Sequence, residues 1–241
     1  MQKLYRTDYE GEFVVDGFII KDGRRQENRI FLPNTISNNQ HTGNACIIGN
    51  GRSRLDLDIR KVTNHAGGHL GKRRLQTYGC NALYRDTKVD FLVATNNIMV
   101  NEIVRSGYPK DHIVMSNATN LVQHPGDLHL IPYQVQGNTG YIATFLACFD
   151  GHKKIYLLGF DNQSEEGGNN NVYTDTPNYA PADKNTSSAK WEAKMKMLFD
   201  RYPDIDFALI VGKTTRFPES WKYCLNLREI SIRDFVLEAD L

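Results

Sequence analysis

The chain has 241 residues, 40% of them apolar and 24% charged, with a formal net charge of +1. That supports one large domain, or one domain with an appendage. It excludes a global electrostatic footprint for nucleic acid or for an anionic membrane surface.

Met1-Gln2-Lys3-Leu4-Tyr5 lacks an apolar signal core, and no run approaches the ~18 apolar residues of a membrane span. The four cysteines (Cys46, Cys80, Cys148, Cys224) form no CxxC pair and have no histidine at zinc-finger spacing. Cys46 and Cys148 sit in apolar runs, where a free thiol packs as a small hydrophobe. These features lead us to expect a cytoplasmic protein, in which the Asn-x-Ser/Thr triplets at Asn117, Asn162 and Asn185 carry no glycan.

In chain order, the first 40 residues form a unit of their own. Gly11 to Ile20 and Arg29 to Leu32 are aromatic and β-branched, and Lys21-Asp22-Gly23 between them is a turn signal. They predict a β-hairpin extension (residues 1–40). Pro33-Asn34-Thr35 and Ser37-Asn38-Asn39 then lead into a main domain, residues 41–241.

There, short apolar runs recur at Ala45–Ile48, Leu75–Tyr78, Val89–Ala94, His112–Met115, Leu128–Ile131, Ile155–Leu158 and Phe207–Val211. Runs without strict alternation fit strands buried on both faces of a parallel sheet. Helices are predicted between them. Asn97 to Arg105 ends at Gly107, and Gly140 to Phe149 is apolar enough to be buried. Ser188 to Tyr202 carries Trp191, Met195, Leu198, Phe199 and Tyr202 as a core-facing stripe, with Asn185, Thr186 or Ser187 as its N-cap. Alternating strands and helices predict an α/β, doubly wound, mostly parallel Rossmann-like sheet. Ligands of such sheets bind outside the carboxyl ends of the strands.

Those ends are informative. The first strand runs into Gly49-Asn50-Gly51-Arg52-Ser53. Glycines there allow a tight turn whose N–H groups can cradle a phosphate, and Arg52 could pair with one. Arg54 breaks the full G-x-G-x-x-G pattern, so a plain tight turn fits as well. The later ends carry Cys80-Asn81, Asn96-Asn97, Ser116-Asn117, Gly137-Asn138-Thr139-Gly140 and Gly159-Phe160-Asp161-Asn162. Asparagine suits turns and caps at any one of these positions. A set of amides converging on one edge also suits a base, a ribose or a sugar. Asp161 could bind a hydroxyl, act as a base, ligate a metal or cap its own loop.

Taken in order, Gly49-Asn50-Gly51-Arg52-Ser53, Cys80-Asn81 with Tyr84 behind it, Asn138-Thr139-Gly140 and Ile155 to Asp161 resemble the motifs of the bacterial CMP-sialic-acid-dependent sialyltransferases. That pattern reads roughly G-N-G-P-S, C-N, S-G and I-Y-L-x-G-x-D. The pterin-diphosphokinase-like Rossmann proteins share its first and last parts. The resemblance covers about residues 44 to 163. It implies a mononucleotide at the strand ends, held by Asn50, Gly51, Ser53, Asn81, Asn138, Thr139, Gly140 and Asp161, to which the reading of the strand ends themselves adds Arg52 and Asn96. It makes Tyr173 and Tyr179 counterparts of two tyrosines that steady a leaving phosphate, and with Asp161 they are the candidate catalytic residues.

Three departures stand out. The family's proline is Arg52, its Ser-Gly is Thr139-Gly140, and no histidine follows His152 to serve as general base. Asp175 or Asp183 could substitute. The implied function is a nucleotide- or nucleotide-sugar-dependent transferase of glycosyltransferase type, its partner a small-molecule nucleotide and its donor a nucleotide sugar, with no firm cofactor and no metal. A diphosphotransferase needing Mg²⁺ and a non-catalytic nucleotide-binding or interaction protein are the alternatives.

Weaker features complete the reading. His65 and His69 lie four apart among glycines that disfavour a helical metal pair. Lys72-Arg73-Arg74 reads as a solvated loop. Glu165 to Asn171 is polar and glycine-rich, either a lid or a disordered loop. Trp221 and Tyr223 could stack on a base, although core packing suits them better.

Overall fold

The computed structural model describes residues 9–34, 43–63, 75–161, 170–179 and 188–241. Two sheets are formed. The first is a hairpin of β1 (Gly11–Lys21) and β2 (Arg24–Pro33). Its turn places Asp22 at φ 52° and Gly23 at φ 70°. Two successive left-handed residues match the right-handed twist of the strands, and Asp-Gly tolerates that conformation. The register slips between Val15 and Phe18, where Gly17 takes φ 79° and forms a bulge. Tyr9, just before β1, packs its ring against Tyr133 in a tilted arrangement, centroids 4.8 Å apart, and ties the hairpin to the main body.

The second sheet has eight strands, every pair of them parallel: β3 (Asn44–Ile48), β4 (Gln76–Cys80), β5 (Phe91–Val93), β6 (Val114–Ser116), β7 (His129–Leu130), β8 (Lys154–Leu158), β9 (Asp206–Val211) and β10 (Leu227–Ser231). Their spatial order is β10-β9-β8-β3-β4-β5-β6-β7. The chain therefore winds outward from β3 to β7, returns to the other side of β3 as β8, and winds outward again to β10. This is the α/β doubly wound, Rossmann-like arrangement expected from the apolar runs. Its switch point lies between β3 and β8.

Alternate strand residues face opposite layers. Ala45, Ile47, Ile155, Leu157, Phe207 and Leu209 pack against α4 (Thr139–Phe149) and α5 (Ser188–Arg201). Cys46, Ile48, Tyr156, Leu158, Ala208 and Ile210 pack against α1 (Arg60–Thr63), α2 (Asn97–Arg105) and α6 (Ile232–Glu238). A further short helix, α3 (Ala118–Gln123), leads from β6 to β7. All four cysteines are buried and unbridged, in keeping with packing as small hydrophobes, and burial pushes the Cys80 thiol up to about 12. No helix among the described residues is long and apolar enough to cross a membrane.

Several boundaries differ from expectation. β4 continues through Gly79 and Cys80, which the sequence suggested as turn residues. Gly79 remains extended there because its missing side chain makes room for Leu83 and Val89. β10 and α6 were not anticipated. Leu227–Ser231 is a short strand of mixed polarity, buried mainly at Leu227 and Ile230, so it lacks the apolar run that marked its neighbours. The His65/His69 pair, the Lys72-Arg73-Arg74 cluster, Asp183 and the proposed caps at 185–187 lie outside the described residues.

Trp221 is a core residue. It is fully buried, meets Phe199 edge to face at 5.3 Å, and donates its indole N–H to the Glu192 carbonyl at 3.0 Å. Trp221→Ala should therefore destabilise the fold by about 3–5 kcal/mol, the cost of a cavity of that size. A chemical denaturation midpoint within error of wild type would contradict this placement.

Candidate functional site

The carboxyl ends of β3 and β8 are joined before any ligand is considered. Gly49 donates to the Leu158 carbonyl at 2.8 Å, and Gly51 donates to the Gly159 carbonyl at 2.9 Å. The two turns touch so closely that side chains are excluded. A Cβ on Gly51 would lie 2.6 Å from Cγ of Asp161, and Gly159 holds φ 70° with the Gly49 carbonyl 3.0 Å from its own Cβ position. The glycine turns thus serve close approach of backbone to backbone.

Asp161 sits at the centre of this junction. Its carboxylate accepts from Ser53 N–H at 2.7 Å, Asn170 Nδ2 at 3.0 Å, Thr214 Oγ1 at 3.0 Å and Thr215 Oγ1 at 3.1 Å, and also from the Ser53 hydroxyl. Five donors occupy both oxygens. A carboxylate in that setting locks four chain segments together. The N–H and O–H groups pointing at it are unsuited to a magnesium ion, which needs oxygen lone pairs turned inward. Among the described residues no three His, Cys, Asp or Glu side chains cluster around a possible cation position.

Residues 170–179 form a strap across these turns. Asn171 bridges to Gly51, and Val172 N–H donates to the Asn50 carbonyl at 2.8 Å. Arg54, buried at 2% side-chain exposure, pairs with Asp86 and donates to the Tyr173 hydroxyl at 2.7 Å. That hydroxyl gives its own proton to Asp86 at 2.7 Å. Tyr173 is fully committed to this triad.

Tyr179 is arranged differently. Its hydroxyl accepts from Asn50 Nδ2 at 3.1 Å. Burial, moderated by a hydrogen bond with the Ala82 backbone, pushes its pKa up to about 12. It stays a phenol at neutral pH, with a proton to give. The other end of the Asn50 amide, Oδ1, is buried and has no hydrogen-bond partner among the described residues.

The far end of the strap is latched by Arg85 and Glu102. Arg85 donates to Thr176 Oγ1 at 2.8 Å and to the Pro177 carbonyl at 2.9 Å. Glu102 accepts from Tyr84 at 2.6 Å, from Arg85 Nε at 2.7 Å and from Asn178. Asp175 is exposed on the same strap.

The remaining expected residues fall into two groups. Asn81, Thr139 and Gly140 are drawn toward the junction. Thr139 donates to Asn81 Oδ1 at 3.0 Å, Asn81 holds a left-handed φ of 51°, and Gly140 faces the Phe160 ring. Asn96 and Asn138 cap helices. Asn96 accepts from Ile98 N–H at 2.9 Å, and Asn138 accepts from Tyr141 N–H at 2.9 Å. Arg52 is exposed on the turn. Arg54, Asp86, Arg85, Glu102, Thr214 and Thr215 were missed in the sequence. Thr214 and Thr215 lie in the turn after β9, beyond Gly212 and Lys213, and were within reach of the strand-end rule. The Arg54–Asp86–Tyr173 triad had no local signal, since its members lie far apart in the chain.

Solved sialyltransferases are similar to this chain. A point variant of the sialyltransferase CST-II in complex with CMP shares 15% identity, covering 77% of this chain and 89% of that one, with a TM-score of 0.47. The sialyltransferase CstII from Campylobacter jejuni in complex with the substrate analogue CMP-3FNeuAc shares 15% identity over 78% of this chain and 88% of its own, with a TM-score of 0.42. No family model matches the chain, and no curated protein does. Similarity of that degree leaves the chemistry to the residues.

Two outcomes follow from the site. Asp161→Asn should lower stability by roughly 1.5–3 kcal/mol, the range for hydrogen bonds to a charged acceptor, because an amide nitrogen would face some of its donors. An unchanged unfolding free energy would remove the lock. The second concerns pH. Burial works to raise the Glu102 carboxyl, but hydrogen bonds from Tyr84, Arg85 and Asn178 outweigh it and hold the carboxyl below its usual value. Stability from Glu102 is therefore present above the ordinary carboxylate pKa of about 4.3 and fades as pH falls through the lower folded value. The stability gap between wild type and Glu102→Gln should shrink on acidification; a gap constant from pH 7 to pH 3 would contradict the latch.

Proposed function

We propose that this chain is a nucleotide-sugar-dependent transferase of the glycosyltransferase type, with its donor bound at the β3–β8 switch point. The observation that carries this reading is the Asn50 amide. An acceptor buried without a donor costs about 1–3 kcal/mol, and it sits on a glycine turn at the site where doubly wound sheets take their ligands. A ligand that brings its own N–H or O–H groups, as a base or ribose does, supplies the donor this oxygen lacks. The resemblance of the ordered motifs to the sialyltransferase pattern supports the same class.

In this reading the acceptor oxygen forms a bond to the anomeric carbon of the donor sugar. The bond from that carbon to the phosphate oxygen breaks, and its electron pair goes to the phosphate. Tyr179 donates its hydroxyl proton in a hydrogen bond to that phosphate, which matters more as charge develops there. Asp175 on the strap is our candidate to receive the acceptor's proton. Asp161 and Tyr173 act as positioning residues, one holding the turns and the other holding the strap. Asn81 and Thr139 line the sugar side. A binding-only role is favoured by one feature, the absence of any histidine after His152, and a turnover assay separates the two.

The test is a calorimetric and thermal-shift panel of CMP, UMP, AMP, GMP and their sugar-linked forms, each with and without Mg²⁺. At least one should bind without the metal and raise the melting temperature, by about 2.7 kcal/mol of stability at 100 times its Kd. Asn50→Ala should weaken that binding about tenfold or more, as loss of a buried hydrogen-bonding group does, while the free protein's melting temperature stays nearly unchanged. If none of the panel binds, the nucleotide site is lost from the account.

A further inference from the structure

The turn after β3, the turn after β8 and the turn after β9 lie side by side, because these strands are neighbours in the sheet. They are also pinned to one another. Ser53 N–H and Thr214 Oγ1 both bond the same Asp161 oxygen, at 2.7 and 3.0 Å. Lys213 N–H is held by Asp56 Oδ2 at 2.9 Å, and a Cβ on Gly212 would lie 2.8 Å from the Ser53 side chain.

The residue before each of the two donors on Asp161 is a cation. Arg52 precedes Ser53, Lys213 precedes Thr214, and both are exposed. Neither side chain has an ion-pair partner among the described residues. Two carboxylates lie nearby: Asp56 is turned toward the Lys213 backbone, and Asp161 is taken up by the donors of the two turns. Arg216 follows on the same turn and is already engaged. Two long cationic side chains thus stand on adjacent turns whose backbones are fixed by one carboxylate. This costs the ligand little ordering of the main chain.

We propose that Arg52 and Lys213 form a site for the distal phosphate of a diphosphate, so that the donor is a nucleoside diphosphate sugar. The inference deepens the transferase reading and rests on it for the identity of the ligand. Its chemical basis is charge. A diphosphate leaving group carries more negative charge than a monophosphate, and either a metal ion or basic side chains must meet it. Guanidinium and ammonium groups bind phosphate oxygens through charge-assisted hydrogen bonds. The Asp161 surroundings do not suit a metal, and the two cations beside it supply the charge directly. Position 52 is also where the resembled motif has proline, which can make no such contact.

The experiment is titration calorimetry in EDTA with nucleoside monophosphates, the matching diphosphates and inorganic pyrophosphate, on wild type, Lys213→Ala and Arg52→Pro. Wild type should favour the diphosphate over its monophosphate by about tenfold, and each variant should lose about that factor for the diphosphate alone. Because Arg52→Pro alters a backbone position, Arg52→Gln serves as a second variant that keeps the turn. Lower ionic strength should widen the preference. Equal affinity for mono- and diphosphates, or a preference that survives in the variants, overturns the proposal. Pyrophosphate separates the two levels. If it binds wild type and not Lys213→Ala while no nucleotide binds, the diphosphate site stands and the nucleotide reading fails. If neither pyrophosphate nor any diphosphate binds while a monophosphate does, the reverse holds.

Discussion

A single carboxylate organises the carboxyl edge of this sheet. Asp161 gathers donors from the turn after β3, from the strap and from the turn after β9. Each donor belongs to a segment with little regular structure of its own. A neutral acceptor would bind these donors more weakly, because hydrogen bonds to a charge are about twice as strong. The close contact of Gly51 with Gly159, the seat of the strap and the pairing of the Arg52 and Lys213 turns all depend on it. The carboxyl edge of the sheet is therefore built from loops pinned by side-chain hydrogen bonds to one carboxylate rather than by regular structure.

The buried triad of Arg54, Asp86 and Tyr173 plays the complementary part. It holds the strap from beneath, while Arg85 and Glu102 hold it from outside. Arg54 is almost wholly buried, and its charge is balanced by Asp86, which remains partly in solvent. Removing either partner would leave an expensive uncompensated group. The two tyrosines of the strap thereby part company. Tyr173 is consumed in structure, whereas Tyr179 keeps a phenolic proton next to the Asn50 amide. Identical residue types six positions apart acquire different chemistry from their partners alone.

The sheet was legible in the sequence because its strands are buried on both faces and so appear as unbroken apolar runs. Ala45–Ile48, Ile155–Leu158 and Phe207–Val211 each fall within one residue of a real strand. Where burial is partial the signal fades, as at Leu227–Ser231. The glycine turns and Asp161 were also legible, since ligand-binding turns follow strands in this class. The recurring asparagines were less informative. Asn96, Asn117 and Asn138 each cap a helix, and a cap and a ligand contact demand the same short amide. Sequence alone had no means to separate them, and none to show that Asp161 is saturated, because its donors come from residues 53, 170, 214 and 215.

The union of β3 with β8 also bears on how the molecule is made. Ser53 and Asp161 are separated by 108 positions, so their meeting closes a very long loop. Contacts of that span form slowly, because chain entropy is lost before they reward it. The strands from β3 to β7 have partners close in sequence and can assemble first, leaving one side of β3 open as an exposed edge. During that interval an unpaired parallel strand flanked by apolar surface is a hazard for self-association. The strand that brings Asp161 to the turn after β3 is thus also the one that ends this vulnerable stage.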